Sequence, residues 1–437
     1  MTLIDLTVPA ARGSRLDALP VAIIGAGPIG LAAAAELTER GIDFVIFEAG
    51  ATPADAIRSW GHIRLFSPWQ ELIGPAAGRL LDAAGWTRPA DGVAPYGAEL
   101  VTEYLDHLAA LPAIASRTLF GTSVVAVTRE GMDRTRSAHR AETPFSLRLT
   151  AADGSVSEVT ARAVIDSSGT YSTPNTIGSS GLDPMGIDLI SGHVTAALPD
   201  VLSTERSRFA GKHSVVVGAG HSAANTLINL AKLAREEEGT TVTWVLRNAS
   251  AVRLTSSDDD GLPGRASLGQ RVDRLVATGA ISVVDHFEII RVAPAGNAVT
   301  LTGKRGDHLE TIEADLIVNA TGFRPNLQML REIRLDLDDI VEAPRKLAPL
   351  IDPNVHTCGT VEPHGFAELQ QPERNFFIAG MKSYGRAPTF LLATGYEQIR
   401  SIAAYLAGDL AAATKVNLVL PATGACSTDA GSASCCS

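Results

Sequence analysis

The chain has 437 residues, 45% hydrophobic and 19% charged, with a net charge of −11 at pH 7. At about 150 residues per domain this provides for two or three domains with large cores, and the acidic balance excludes a phosphate-tracking nucleic-acid face or a polybasic membrane anchor. No run reaches the roughly 18 apolar residues of a membrane span, and Met1–Pro20 has no apolar core of signal-peptide length, so the expectation is a soluble, cytoplasmic protein with a flexible arm over 1–18.

Val21–Ile24 is a short apolar run, the pattern of a strand buried on both faces. Gly25, Gly27 and Gly30 follow in GxGxxG spacing, with Pro28 and Ile29 between the last two. Leu31–Arg40 is a strong helix former that Gly41 is placed to end, and Asp43–Glu48 reads as a second strand. The spacing predicts a βαβ unit whose first turn binds a dinucleotide. Gly25 permits the tight turn, Gly27 lets the backbone approach a pyrophosphate, and Gly30 lets helix and strand pack closely. The helix N-terminus offers free N–H groups to phosphate. Glu48 ends the second strand, where a carboxylate accepts hydrogen bonds from ribose hydroxyls.

Trp60–Trp69 is dense in aromatic and polar groups. Leu119–Val127 reads as a strand, and Arg129–Pro144 as a polar hairpin excursion.

Ser214–Val217 is again a strand, and Gly218, Gly220, His221, Ser222 and Ala223 form a second fingerprint with Ala in the third glycine's place. Asn225–Glu238 reads as a helix closed by Gly239, and Thr241–Leu246 as the next strand. This strand ends in Arg247 where the first unit has an acid. An acid there repels a 2′-phosphate, whereas an arginine pairs with it bidentately. The first site therefore suits an unphosphorylated ribose and the second suits NADPH; the alternative for Arg247 is a solvated strand-end charge. Ser256–Gly264 is a loop by composition, its acidic triplet a solvated face.

Of the four cysteines, Cys358 lies well inside the chain, and Cys426, Cys435 and Cys436 fall in the last twelve residues behind a small, polar spacer. No CxxC pair is present, which argues against a flavin disulfide reductase. Soft thiolates favour soft ions, so the tail is either a capture set for trivalent arsenic or antimony or an incidental appendage.

Two nucleotide units in one chain resemble the FAD/NAD(P)H flavoproteins with tandem dinucleotide-binding domains, such as thioredoxin reductases and flavin-containing and Baeyer–Villiger monooxygenases. The resemblance implies an α/β fold with two Rossmann-like domains: a discontinuous FAD domain over 19–205 and 325–415, an inserted NADPH domain over 206–324, and a tail over 416–437. Ala163–Gly169 is similar to the strand and turn that return to the FAD domain, placing Ser168 and Gly169 at the cofactor. Asp315–Gly322 is similar to the family's "ATG" strand, with Ala320, Thr321 and Gly322 at the second site. Phe376–Gly380 is similar to the last FAD strand. The helix after it, from about Thr389 to Ala407, would aim its N-terminus at the flavin, with Gly380, Met381, Thr389 and Leu391 beside it. Val124 and Val125 either touch the adenine or are plain core. The Trp60–Trp69 segment corresponds to a loop beside the isoalloxazine: Trp60 binds the cofactor and His62 and Arg64 either contact flavin or hold a developing oxyanion, or the loop is only packed, with Trp60 and Trp69 as anchors. The FxGxxxH signature of flavin-containing monooxygenases is imperfect here, with Ile190 and Ala196 replacing its Phe and His around Gly192.

Gly61–Trp69, Ile351–Thr360, Gly380–Phe390 and the Cys435–Cys436 tail together resemble the flavin-dependent monooxygenases of bacterial arsenic-resistance operons. That resemblance implies oxidation of trivalent arsenicals or antimonite by a C4a-hydroperoxyflavin formed from NADPH, FAD and oxygen. Cys358 then presents the metalloid received from Cys426, Cys435 and Cys436, or is a buried structural thiol. The competing expectations are a flavin monooxygenase acting on an organic amine, sulfide or ketone, and a metalloid carrier without turnover. The partners are a small-molecule or metalloid substrate and molecular oxygen; oligomeric state stays open.

Overall fold

A computed structural model describes residues 12–248, 263–352, 363–387 and 390–418. The apolar runs that open each nucleotide unit become the central strands of two all-parallel sheets. Such strands are covered by helices on both sides, which is why they are hydrophobic throughout rather than alternating. The first sheet contains β1 (Val21–Ile24), β2 (Phe44–Phe47), β3 (Thr118–Leu119), β7 (Ala163–Asp166) and β16 (Phe376–Ile378). Their order is β16-β7-β1-β2-β3. Between β3 and β7 the chain makes an antiparallel sheet of β4 (Thr122–Arg129), β5 (Phe145–Ala151) and β6 (Val156–Ala161).

The second sheet is built from β8 (Val194–Thr195), β9 (His213–Val217), β10 (Thr241–Val245), β11 (Ser282–Val284) and β15 (Leu316–Asn319), in the order β11-β10-β9-β15-β8. It carries its own antiparallel sheet, β12 (Glu288–Ala295), β13 (Ala298–Arg305) and β14 (His308–Ala314). Strand β8 joins this second sheet through β15, so the unit recruits residues that precede its glycine turn. The chain enters the second unit after β7 and returns for β16, giving the interrupted-and-inserted arrangement of two Rossmann-like folds. The outgoing and returning segments pair with each other: Arg324 N–H donates to the Thr173 carbonyl and Asn175 N–H to that of Gly322.

Helix α1 (Pro28–Glu39) lies on the first sheet with Leu31 and Ala32–Ala35 buried. Its alanines allow the close approach that a larger side chain would prevent. Helix α2 (His221–Glu236) does the same on the second sheet with Ala223, Leu227 and Leu230. It begins four residues earlier than the sequence pattern predicts, because the helix starts directly at the glycine turn. Helix α3 is Pro263–Ala277, so the last two residues of the loop read from composition belong to a helix. Helix α4 (Leu392–Leu406) packs on α1. Among the described residues no helix is long and apolar enough to cross a membrane.

Candidate functional site

Each sheet ends its central strand in a glycine turn. Gly25 has φ +96°, and a Cβ there would lie 3.1 Å from the Ser167 carbonyl oxygen. A Cβ on Gly30 would lie 1.9 Å from the Gly25 carbonyl oxygen. Both positions therefore require glycine. Gly27, by contrast, faces open space, with nothing among the described residues within 4 Å of an added Cβ. It is the N-cap of α1 with no side-chain cap, and the first N–H groups of a helix have no partner within the helix. Pro28 occupies the first turn, where its missing N–H costs nothing. The open space at Gly27 and the free N–H groups of the helix start fit a dinucleotide's pyrophosphate.

Glu48 follows β2 and already holds the cradle's shape. Its carboxylate accepts hydrogen bonds from Ala26 N–H at 2.6 Å and Gly50 N–H at 2.7 Å. A carboxylate has about four acceptor positions, so two bonds leave capacity for ribose hydroxyls. Beyond it, β4 has a register shift between Val124 and Ala126. Val124 packs on the core while Val125 in the bulge is 45% exposed, which separates two residues the sequence treats alike.

The second turn repeats the geometry. Gly218 has φ +137°, and a Cβ there would lie 2.1 Å from the Ala320 carbonyl oxygen. Gly220, the N-cap of α2, again faces open space, and His221 and Ser222 begin the helix while Ala223 is buried under it. The Trp244 indole donates to the Gly218 carbonyl at 2.7 Å, pinning the turn from β10. Ala320, Thr321 and Gly322 close the far side, with Thr321 Oγ donating to the side chain of Asn319 and Gly322 at φ +94°. Arg247 is exposed after β10, and its guanidinium donates to the Ser179 carbonyl at 3.1 Å.

The resemblance places two further segments beside the first site. In the Trp60–Trp69 loop, Trp60 packs against Gly97 and Trp69 is buried. His62 Nε2 is buried with no hydrogen-bond partner among the described residues. Arg64 is exposed, donates to the Ala94 carbonyl and lies over the Tyr96 ring. Phe66 reaches the second unit, edge-on to the His221 ring at 5.4 Å between centroids. The loop read as flavin-facing thus also touches the first residue of α2.

The other segment is the short turn Gly380–Tyr384 after β16, which contains Met381. Gly380 has φ +70° and lies against Ile29. Gly395 in the first turn of α4 meets the same Ile29 side chain. Ile29 thereby brings the N-terminus of α1, the Gly380 turn and the start of α4 together. Helix α4 begins at Leu392 with Leu391 as N-cap, three residues later than the sequence pattern suggests. Burial pushes the Tyr384 hydroxyl well above its ordinary range, so it stays protonated. Gln398 accepts from Gly380 N–H and donates to Ser383 Oγ.

The sequence reading missed a buried pair behind these turns. Lys382 Nζ lies 2.7 Å from Asp166 Oδ2 and 3.1 Å from Ser168 Oγ, and both charged side chains are fully buried. Its sequence signal is a lone lysine four residues after an all-apolar strand. Gly169, beyond Ser168, takes φ +70°. The polar excursion after Arg129 is the connection of the β4–β5 hairpin, as its composition suggests. Arg129 and Arg140 are buried and converge on Glu373, a partner that lies more than 200 residues further along the chain. Cys358, Thr389, Cys426, Cys435 and Cys436 lie outside the described residues.

Paired glycine turns, each at the carboxyl end of a parallel sheet and one unit inserted in the other, define a flavoprotein with two dinucleotide-binding domains. Two family descriptions match: "FAD binding domain" over residues 18–63 and "Pyridine nucleotide-disulphide oxidoreductase" over residues 148–356. Over these two segments, each less than half of the chain, the protein is similar to FAD-dependent oxidoreductases. No curated protein matches it. Among solved structures, the bacillithiol disulfide reductase of Bacillus cereus has 22% identity and a TM-score of 0.65, over 89% of this chain and 99% of that one. A flavin monooxygenase from Stenotrophomonas maltophilia has 25% identity and a TM-score of 0.56, again over 89% and 99%. The ornithine hydroxylase of Pseudomonas aeruginosa has 17% identity and a TM-score of 0.60, over the same shares.

Proposed function

We propose that the protein is an NADPH- and FAD-dependent monooxygenase that oxidises trivalent arsenicals or antimonite to their pentavalent forms. The observation that carries this reading is the cysteine complement. The chain has both nucleotide cradles but no CxxC pair, and three of its four thiols sit together in the last twelve residues. A disulfide reductase needs a thiol pair at the flavin, whereas a chain of thiols ending in Cys435 and Cys436 suits a three-sulfur capture of a soft metalloid. The 25% identity with a flavin monooxygenase supports oxygen chemistry.

In this reading Gly25, Gly27, Pro28, Ile29 and Gly30 hold the FAD pyrophosphate, Glu48 the ribose and Val125 the adenine. Gly218, Gly220, His221 and Ser222 hold the NADPH pyrophosphate, and Arg247 its 2′-phosphate. Bound FAD supplies the two-electron chemistry and activates oxygen. In the overall reaction NADPH gives two electrons; one oxygen atom bonds to the arsenic lone pair and the other leaves as water. His62, with an unsatisfied buried ring nitrogen, is the group best placed in its loop to donate to an oxyanion or to flavin. Arg64, fixed by Ala94 and Tyr96, supplies positive charge at the rim. Cys358 receives the metalloid from Cys426, Cys435 and Cys436.

NADPH consumption by the full chain in air tests this reading. Arsenite, methylarsenite or antimonite should accelerate it and yield pentavalent product. Acceleration only by an organic amine, sulfide or ketone, or by a low-molecular-weight disulfide, would overturn the metalloid assignment. Metalloid binding without acceleration would make the chain a carrier. Replacing Cys435 and Cys436 by Ser should raise the apparent KM for the metalloid.

A further inference from the structure

Asp166 ends β7, the strand next to β1 at the centre of the first sheet. Its carbonyl accepts from Ala379 N–H, so it also borders β16. Ligands of parallel α/β sheets bind outside these carboxyl ends. Three turns leave the sheet here: the Gly25 turn, the Ser167–Gly169 turn and the Gly380–Tyr384 turn. The first two touch directly, since a Cβ on Gly25 would lie 3.1 Å from Ser168 Cα. The first and third are joined through Ile29 and Gly380. Between the second and third sits the Lys382 ammonium, on Asp166 Oδ2 and Ser168 Oγ, with neither charge exposed.

A buried ion pair is a poor source of stability, because desolvation offsets the attraction and an apolar pair of similar volume serves as well or better. What charges supply is direction: an ammonium fits only where a carboxylate and a hydroxyl converge. We propose that Asp166 and Lys382 are positioning residues of the FAD site. They lock the Ser167–Gly169 and Gly380–Tyr384 turns against the Gly25 turn, so that the cradle is preformed for the cofactor. The inference rests on FAD occupying the first site and not on the identity of the oxidised substrate.

The test uses the full chain stripped of FAD and retitrated with it, following flavin fluorescence, with thermal unfolding of the apoprotein measured in parallel. The double variant Asp166→Leu with Lys382→Met removes both charges and strands neither. It should fold yet bind FAD about ten- to hundred-fold more weakly, the loss typical of removing groups that orient direct ligands. FAD affinity within about twofold of the unmodified protein overturns the proposal. The second variant, Ser168→Ala, keeps the ion pair and the Ser168 N–H bond to Asp166 but removes the hydroxyl that accepts from Lys382 and donates to Asp166 Oδ1. It should weaken FAD severalfold and shift the flavin reduction potential while apoprotein unfolding stays put. If affinity and potential are both unchanged, the pair is a folding element only and the proposal fails, whether or not the double variant folds.

Discussion

A Cβ on Gly30 would lie 1.9 Å from the Gly25 carbonyl oxygen, and the obstacle is backbone, which cannot swing aside. Gly30→Ala therefore has to move α1 off its strand, and overpacking of this kind costs about 1–3 kcal/mol or more. The variant should purify with little bound flavin, read as a low ratio of visible to ultraviolet absorbance. Arg247 gives a prediction of the opposite kind. It is exposed and, among the described residues, donates to the Ser179 carbonyl, so Arg247→Ala should leave unfolding unchanged. It should raise the KM for NADPH roughly ten- to hundred-fold, as expected for a lost hydrogen bond to a charged group, and leave NADH alone; equal losses for both nucleotides would remove its assigned role. At this scale the sequence is most legible where function is local. Gly25, Gly27, Gly30 and Glu48 lie within one strand–turn–helix–strand unit, so their spacing carries the geometry. The Asp166–Lys382 pair spans 216 positions, and only the fold brings its halves together.

Among the elements, the turn that precedes β16 is held by a charge cluster. Glu373 accepts from Arg129 and Arg140, while those guanidinium groups also bond the Thr143, Asp133, Arg374 and Glu332 carbonyls. Arg129 also stacks over Phe145 at 3.6 Å. Burial alone would raise the Glu373 carboxyl, but hydrogen bonds from Arg140 and Arg129 outweigh it and hold it below its ordinary 4.5. A carboxyl held low in the folded state contributes stability above its unfolded value and loses it as pH falls through the folded one. Glu373→Gln should therefore lower stability by about 3–5 kcal/mol at neutral pH, since two buried cations lose their partner. Below pH 4.5 the difference between variant and unmodified protein should shrink; a difference independent of pH would contradict the assignment. The sequence shows this region only as a polar excursion, because runs of charge read as solvated until their partner is known. Strand identities were legible for the opposite reason: β1 and β16 are apolar throughout, and β7 and β9 carry apolar runs interrupted only at their ends, as a doubly covered sheet requires.

For the whole molecule, the two nucleotide units meet through more than the paired connecting segments. Phe66, from the Trp60–Trp69 loop, packs against the core of the second unit and lies edge-on to His221. Phe66→Ala should slow flavin reduction by NADPH about two- to tenfold, the worth of one aromatic pair, with FAD affinity unaltered. Fold class and cofactors were readable because each unit repeats one local pattern; the contact between units was not, since nothing in the Trp60–Trp69 run names its partner.

The most direct test of the account is anaerobic mixing of the FAD-loaded protein with one equivalent of NADPH while flavin absorbance is followed. The account predicts full bleaching, faster than with NADH. Flavin that stays oxidised would contradict an electron path from the second nucleotide site to the first.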